Sequence, residues 1–275
     1  MTFTPMLGYI DDIDGAAYDV FNPPVAASPL LGEPYTQWQA PLVVQQYSDC
    51  VERSVTSRMR ARIVMQRAEN KRSELKLPDL PSARWAYWQY LESTGQLGTD
   101  PGTKPWDFIE LLNQRGWCSE QWMPYTNPDG SVPKLDETDA PPPDALRHAW
   151  DQRGLLHAHI ISDPLAELRI ALRQDLGIVI PIACDRALVE GGVPNDPEFV
   201  WDFSDGSPVV GWHMLQVDGY HPTKGLRCPN TWGDGFGFGG YFWLGWDTVL
   251  NPVRAKPPIS IDWVPLTTNE LIIER

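Results

Sequence analysis

Long apolar runs are missing from this chain. No segment approaches the ~20 residues that a bilayer-spanning helix needs, so no membrane span is expected. Positive charge is scarce as well: 22 Lys and Arg against 36 Asp and Glu leave a net charge of −14. Such a surface repels phosphate backbones, which argues against a nucleic-acid partner. The one basic stretch, Arg53 to Lys76, reads as the solvated face of a helix. Cysteine is sparse. Cys50, Cys118, Cys184 and Cys228 show neither CxxC spacing nor a tight cluster. That pattern carries no zinc signature and, in a chain this long, no disulfide framework; neither a metal nor a cofactor is expected. The opening MTFTPMLGYIDDIDGAAYD lacks a basic n-region and a continuous apolar h-region, so it reads as neither a secretory signal nor a presequence. The expectation is a protein made in a cytoplasm. No internal period of the solenoid kind is visible.

Tryptophan and proline are plentiful instead, with 13 and 27 residues, which describes an irregular aromatic-rich globule with long loops. A hydrophobic content of 42% is enough for a sizeable core. Residues 1–34, rich in Pro, Gly and Asp, read as an extended arm. After Cys50, apolar residues recur four apart at Val51, Val55, Met59 and Ile63. This spacing predicts a helix of about five turns, N-capped by Ser48 or Asp49, with Arg53, Arg60, Arg67 and Lys71 on its wetter side. SARWAYWQYLEST predicts a second helix stopped by Gly95, and TKPWDFIELLNQRGW a third with Gly116 at its C-cap. DPLAELRIALRQDLG predicts a fourth, from Pro164 to an end at Gly177. The proline-rich APPPDA reads as a surface connection. Then the period changes: IVIPIACD, VVGWHMLQVDGYH and YFWLGW predict strands. Helices first and strands later indicate an α+β fold, a helical lobe against a sheet or barrel lobe. The expected organisation is an arm over 1–34, a mainly helical lobe over 35–160 and a β-rich lobe over 161–275.

Cys50 stands at a predicted helix start. Unpaired N–H groups and the positive end of the macrodipole favour thiolate there. A nucleophilic thiol needs a base. Of the five histidines, His213 alone has a distinctive setting, inside the apolar strand GWHMLQVDGY. His148 lies in a polar helical stretch, and His157, His159 and His221 in polar or turn contexts. A base needs an orienting group. Asn230 opens NTWGDGFGFGGYFWL, whose five glycines before Tyr241 imply a tight loop with close backbone approach. The same segment is compatible with an ordinary glycine-rich hairpin. Its GxGxGG spacing is wrong for a dinucleotide fingerprint.

Four blocks, in order, resemble the papain family of cysteine peptidases, particularly its bacterial and bacteriophage-type members. QQYSDCVERSV is similar to the Gln-turn-Cys-helix block. The segment from Pro81 to Tyr125 is similar to the helical-lobe block, ending at Gly116, Cys118, Glu120, Pro124 and Tyr125. GWHMLQVDGY is similar to the His-strand block, and NTWGDGFGFGGYFWL to the Asn-Ser-Trp-Gly block ending in Gly-Gly-Tyr-Phe. Together they cover roughly residues 35–265.

The resemblance implies a papain-like two-lobed fold with the active site in the cleft between the lobes. It implies Cys50 as nucleophile, His213 as base and Asn230 as its orienter. A glutamine before the cysteine, Gln45 or Gln46, would complete the oxyanion hole, and Trp232 and Gly102 would support the cleft. A thiolate–imidazolium pair would form before substrate arrives, and the substrate would be a peptide or protein. The chain departs from the family pattern at Val51, at Asp49 and at Glu52, whose charge would weaken the thiolate if it faced the site. The short arm implies control by location rather than by an inhibitory propeptide. A second reading keeps the fold as a structural or binding module of a larger assembly such as a phage tail. A third has a virion-associated peptidase cutting peptidoglycan or a host surface protein during entry.

Overall fold

The structure is a computed structural model, and it describes residues 44–69, 81–173 and 177–265. The arm over 1–34 and Lys71 lie outside these residues; of Ile63 and Arg67 only the backbone is described. Helix α1 (Cys50–Glu69) runs through the centre, and α2 (Ala83–Ser93), α3 (Pro105–Arg115) and α4 (Pro143–Asp151) follow it. Local sequence accounts for their ends. Ser82 caps α2 by accepting from the Trp85 N–H, and Gly116 (φ 72°) ends α3. Prolines of APPPDA lead directly into a helix, since Pro143 occupies the first turn of α4, where its missing N–H costs nothing.

Strands β1 (Gly154–Ile160), β2 (Gly177–Cys184), β4 (Gly211–Val217) and β8 (Ile259–Pro265) form an antiparallel sheet in the order β1-β8-β2-β4. A second sheet, ordered β3-β7-β6-β5, joins β3 (Val200–Trp201), β5 (Gly219–His221), β6 (Gly225–Pro229) and β7 (Tyr241–Leu244). Helix α5 (Pro164–Arg173) connects the first two strands of the chain. His157 and His159 therefore sit on a strand, β1, rather than in a turn. Gly177 does not end a helix as the sequence suggested; it opens β2. A Cβ there would lie 2.7 Å from the Arg58 Cβ, so the glycine lets the strand pass close under α1.

The core falls into two clusters. One joins α1, α2 and α3 to Val179, Met214 and Ile259 of the first sheet; the other fills the space between the two sheets and α5. Val51, Val55 and Met59 are buried as their spacing predicts. The basic segment is not a solvated face in its described part. Arg58 is buried, and the Arg53 side chain keeps only 11% of its exposure. Both cations are held against α1 by neighbours that periodicity alone does not reveal. No helix among the described residues is long and apolar enough to cross a membrane.

Candidate active site

Helix α1 presents its first turn to the middle of β4. Ser54 Oγ donates to the Met214 carbonyl at 3.0 Å, and the Met214 N–H donates to Cys50 Sγ at 3.4 Å. Cys50 and Ser54 lie one turn apart on one helix face, so the one residue Met214, through its N–H and its carbonyl, sets the register of helix against strand. That register brings Cys50 beside the residue before Met214, which is His213. Both side chains are fully buried.

His213 Nε2 meets Asn230 Oδ1 at 2.9 Å, and the Thr231 N–H donates to the same oxygen at 2.8 Å. A backbone N–H needs an acceptor, so the amide orientation is set, and the ring nitrogen facing it must carry the hydrogen. Nε2 is therefore the donor and Nδ1 the bare base nitrogen, which makes no hydrogen bond. Trp232 stacks on the imidazole at 4.6 Å between ring centroids and covers it from solvent. The loop that carries Asn230 closes through the Asn230 N–H to the Gly240 carbonyl, 2.9 Å. Gly237 and Gly240 have positive φ there, as the glycine-rich segment requires.

Burial pushes His213 down to about 4, partly opposed by the bond to Asn230. The imidazole is thus neutral near neutral pH. The expected thiolate–imidazolium pair is absent as a hydrogen bond: the sulfur takes the Met214 N–H, and Nδ1 has no hydrogen-bond partner. The other cysteines are also buried, and burial raises the thiol pKa of Cys118, Cys184 and Cys228, leaving them protonated and inert.

The turn before Cys50 separates the two glutamines. Gln45 is buried; its N–H donates to the Thr231 carbonyl at 2.7 Å, and its Oε1 accepts from Thr231 Oγ1 at 2.7 Å. Its Nε2 donates to the Tyr47 carbonyl at 2.6 Å. Gln45 is thereby tied to the residue next to Asn230. The Gln46 N–H donates to Tyr125 Oη at 2.8 Å, and its side-chain Oε1 is buried without a hydrogen-bond partner. Thr231 is a site residue that the sequence did not single out. The signal was available, since a hydroxyl follows Asn230 where the resembled block carries serine.

Asp49 holds the N-cap position, with its carbonyl accepting the Arg53 N–H at 3.1 Å. Its carboxylate does not cap the helix; it meets Arg53 Nε at 3.1 Å. Burial raises Asp49 and the Arg53 charge lowers it in opposition. Glu52 is fully buried and accepts from Thr103 Oγ1 at 2.5 Å. Residues two apart on a helix project about 200° from each other, so Glu52 leaves α1 on the side away from Cys50. Gly102, next to Thr103, donates its N–H to Tyr87 Oη at 3.1 Å and has a φ of 87°. Among the described residues, no three His, Cys, Asp or Glu side chains are grouped to hold a metal ion.

No protein-family model and no curated protein matches this sequence. Solved structures do. The chain is similar to xylellain, a cysteine protease from Xylella fastidiosa, with 20% identity, a TM-score of 0.76 and coverage of 95% of this chain and 97% of that one. It is similar to procathepsin B S9 from Trypanosoma congolense, with 14% identity, a TM-score of 0.67 and coverage of 95% and 87%. It is also similar to digestive procathepsin L 3 of the Tenebrio molitor larval midgut, with 17% identity, a TM-score of 0.61 and coverage of 92% and 76%. At these identities the likeness establishes the fold. It is the papain-like two-lobed α+β fold, and Cys50, His213 and Asn230 are arranged in it consistently with a Cys-His-Asn triad.

Proposed function

We propose that this chain is a cysteine peptidase, with Cys50 as nucleophile, His213 as general base and acid, Asn230 as its orienter and Gln45 as an oxyanion donor. The observation that carries the reading is the fixed tautomer of His213: Asn230 Oδ1 takes Nε2–H and leaves Nδ1 bare, while the N–H of the next residue, Met214, donates to the sulfur of Cys50. Nδ1 accepts the thiol proton as Sγ attacks the peptide carbonyl carbon. The carbonyl oxygen gains the electron pair, stabilised by the Cys50 N–H and by Gln45 Nε2 once that amide turns from the Tyr47 carbonyl. One such donor is worth about 3–4 kcal/mol. The C–N bond then breaks, Nδ1–H protonates the leaving amine, and a thioester remains. Water, deprotonated by Nδ1, hydrolyses it and restores the thiol.

A desolvated imidazole is a weak base, so substrate entry and rehydration of the cleft would precede thiol ionisation. The test is cleavage of a broad peptide library by the full chain, with Cys50→Ala as control. Cleavage lost in the variant supports the reading; no cleavage by the unaltered chain sinks it.

Complete burial of Cys50 and His213 favours a second reading, a papain-like module that binds without turnover inside a larger, phage-like assembly. It predicts that Cys50→Ala leaves binding and assembly intact, and no library peptide is cut. An intermediate reading, a virion-associated peptidase, predicts new free amines when purified peptidoglycan is digested.

A further inference from the structure

The start of α1 is held from outside the helix. Asp49 turns its carboxylate to Arg53, and the Ser48 hydroxyl donates to Asp100 Oδ2 at 3.1 Å. The Ser48 N–H donates to Asp100 Oδ1 at 2.8 Å. Both oxygens of one carboxylate thus take donors from Ser48, two residues before Cys50. Bonds from neutral donors to a carboxylate are stronger than neutral pairs, and a contact at two points fixes orientation as well as distance. Asp100 is itself anchored. It lies in the loop after α2, and the fully buried Tyr87 of that helix donates from Oη to Asp100 Oδ1 at 2.7 Å. The same phenol accepts the Gly102 N–H at 3.1 Å, which pins the loop just beyond Asp100.

The turn that Asp100 grips leads into the proposed oxyanion site. Its other backbone grips lie further back: the Gln45 N–H on the Thr231 carbonyl at 2.7 Å, and the Gln46 N–H on Tyr125 Oη at 2.8 Å. Of these three, the grip on Ser48 is nearest to Cys50. Two peptides run from Ser48 to Cys50, and the second carries the Cys50 N–H. First-turn N–H groups have no acceptor within their own helix, so their direction depends on how the chain enters it. An oxyanion donor works only when it is aimed at the place where charge develops. We propose that Asp100 is a positioning residue: through its two bonds to Ser48 it sets the direction of the Cys50 N–H toward the oxyanion. The inference rests on the peptidase reading of Cys50 and deepens it.

The test compares the full chain with Asp100→Ala, which keeps no acceptor, and Asp100→Asn, which keeps an amide oxygen for the Ser48 N–H. On a peptide taken from the cleaved library, Asp100→Ala should lower kcat about tenfold with KM within about twofold, and Asp100→Asn should recover most of the loss. A peptide aldehyde forms a C–S bond to the thiol and its carbonyl oxygen becomes the oxyanion; it should bind Asp100→Ala about tenfold more weakly. Iodoacetamide alkylates the thiol without forming an oxyanion, and should label Cys50 at one rate in all three proteins. Unchanged kcat and aldehyde affinity in Asp100→Ala overturn the proposal. So does a fall in alkylation equal to the fall in kcat, since that places the defect at the thiol. Amide hydrogen exchange over residues 46–50 needs no turnover and keeps the two ideas apart. Exchange about tenfold faster in Asp100→Ala, and restored in Asp100→Asn, supports the grip even if no peptide is cut, in which case only the peptidase reading fails. Equal exchange in Asp100→Ala and the unaltered chain overturns the grip.

Discussion

The first turn of α1 carries two buried titratable groups on opposite sides, and their surroundings differ in kind. On the β4 side, Cys50 meets a backbone N–H, and its neighbour His213 is held by one asparagine and covered by Trp232. On the helical-lobe side, Glu52 meets a threonine hydroxyl and feels two other acids. Burial acts on His213 and on Glu52 with opposite consequences: it pushes His213 down, leaving the imidazole neutral, and pushes Glu52 up, favouring the protonated acid. One face holds a ring nitrogen with no hydrogen-bond partner. The other is arranged so that a proton stays. Helix α1 is thus tied to both lobes through buried polar groups.

Removing the nucleophile should break the β4 side most completely. Cys50→Ala is expected to lower peptide hydrolysis by about 10⁴-fold or more with an unchanged circular dichroism spectrum. The next effect separates the two glutamines. Gln45→Ala should lower kcat by about 10²–10³-fold, the loss of one oxyanion donor, while Gln46→Ala stays within a few-fold. Equal losses would contradict the placement of Gln45 against Thr231. Asn230→Ala frees the imidazole to rotate, and kcat/KM should fall by about 10²-fold. Its thermal unfolding should move less than its activity.

The smallest effects concern stability, and the two faces should titrate in opposite directions. His213 has a folded pKa below its ordinary 6.5, so its contribution is present above pH 6.5 and lost as pH falls toward about 4. Glu52 has a folded pKa above its ordinary 4.5, so the folded state loses stability as pH rises from 4.5 toward about 8. Urea unfolding should therefore show His213→Asn relieving acid sensitivity between pH 6.5 and 4. Glu52→Gln should relieve the loss between pH 5 and 8, each by about 1–3 kcal/mol. Parallel pH curves for variant and unaltered protein would show that burial does not act on these groups as described.

Much of this site was legible in the chain. A cysteine at a helix start, a histidine within an apolar strand and an asparagine opening a glycine-rich loop each carry a local signature, and α1 to α3 follow from spacing and caps. What stayed hidden depends on contacts distant in sequence. Gln45 and Gln46 are adjacent and chemically identical, and only Thr231, far along the chain, tells them apart. Arg53 and Arg58 read as solvated because periodicity registers apolar residues and not the partners that bury a cation. β1 and β6 have short or mixed patterns, and their pairing is with strands distant in sequence as well as near: β1 with β8, and β6 with β5 and β7. Gly177 looked like a helix stop because a glycine after a helical run usually is one; here the demand is close approach to Arg58.

The central claim is that Cys50 alone among four buried cysteines is a working nucleophile. The direct measurement is mass spectrometry of the folded chain after treatment with an epoxysuccinyl peptide. One adduct is expected, on Cys50, lost in His213→Ala and absent from Cys118, Cys184 and Cys228. No adduct on Cys50, or labelling that is unchanged without His213, would contradict it.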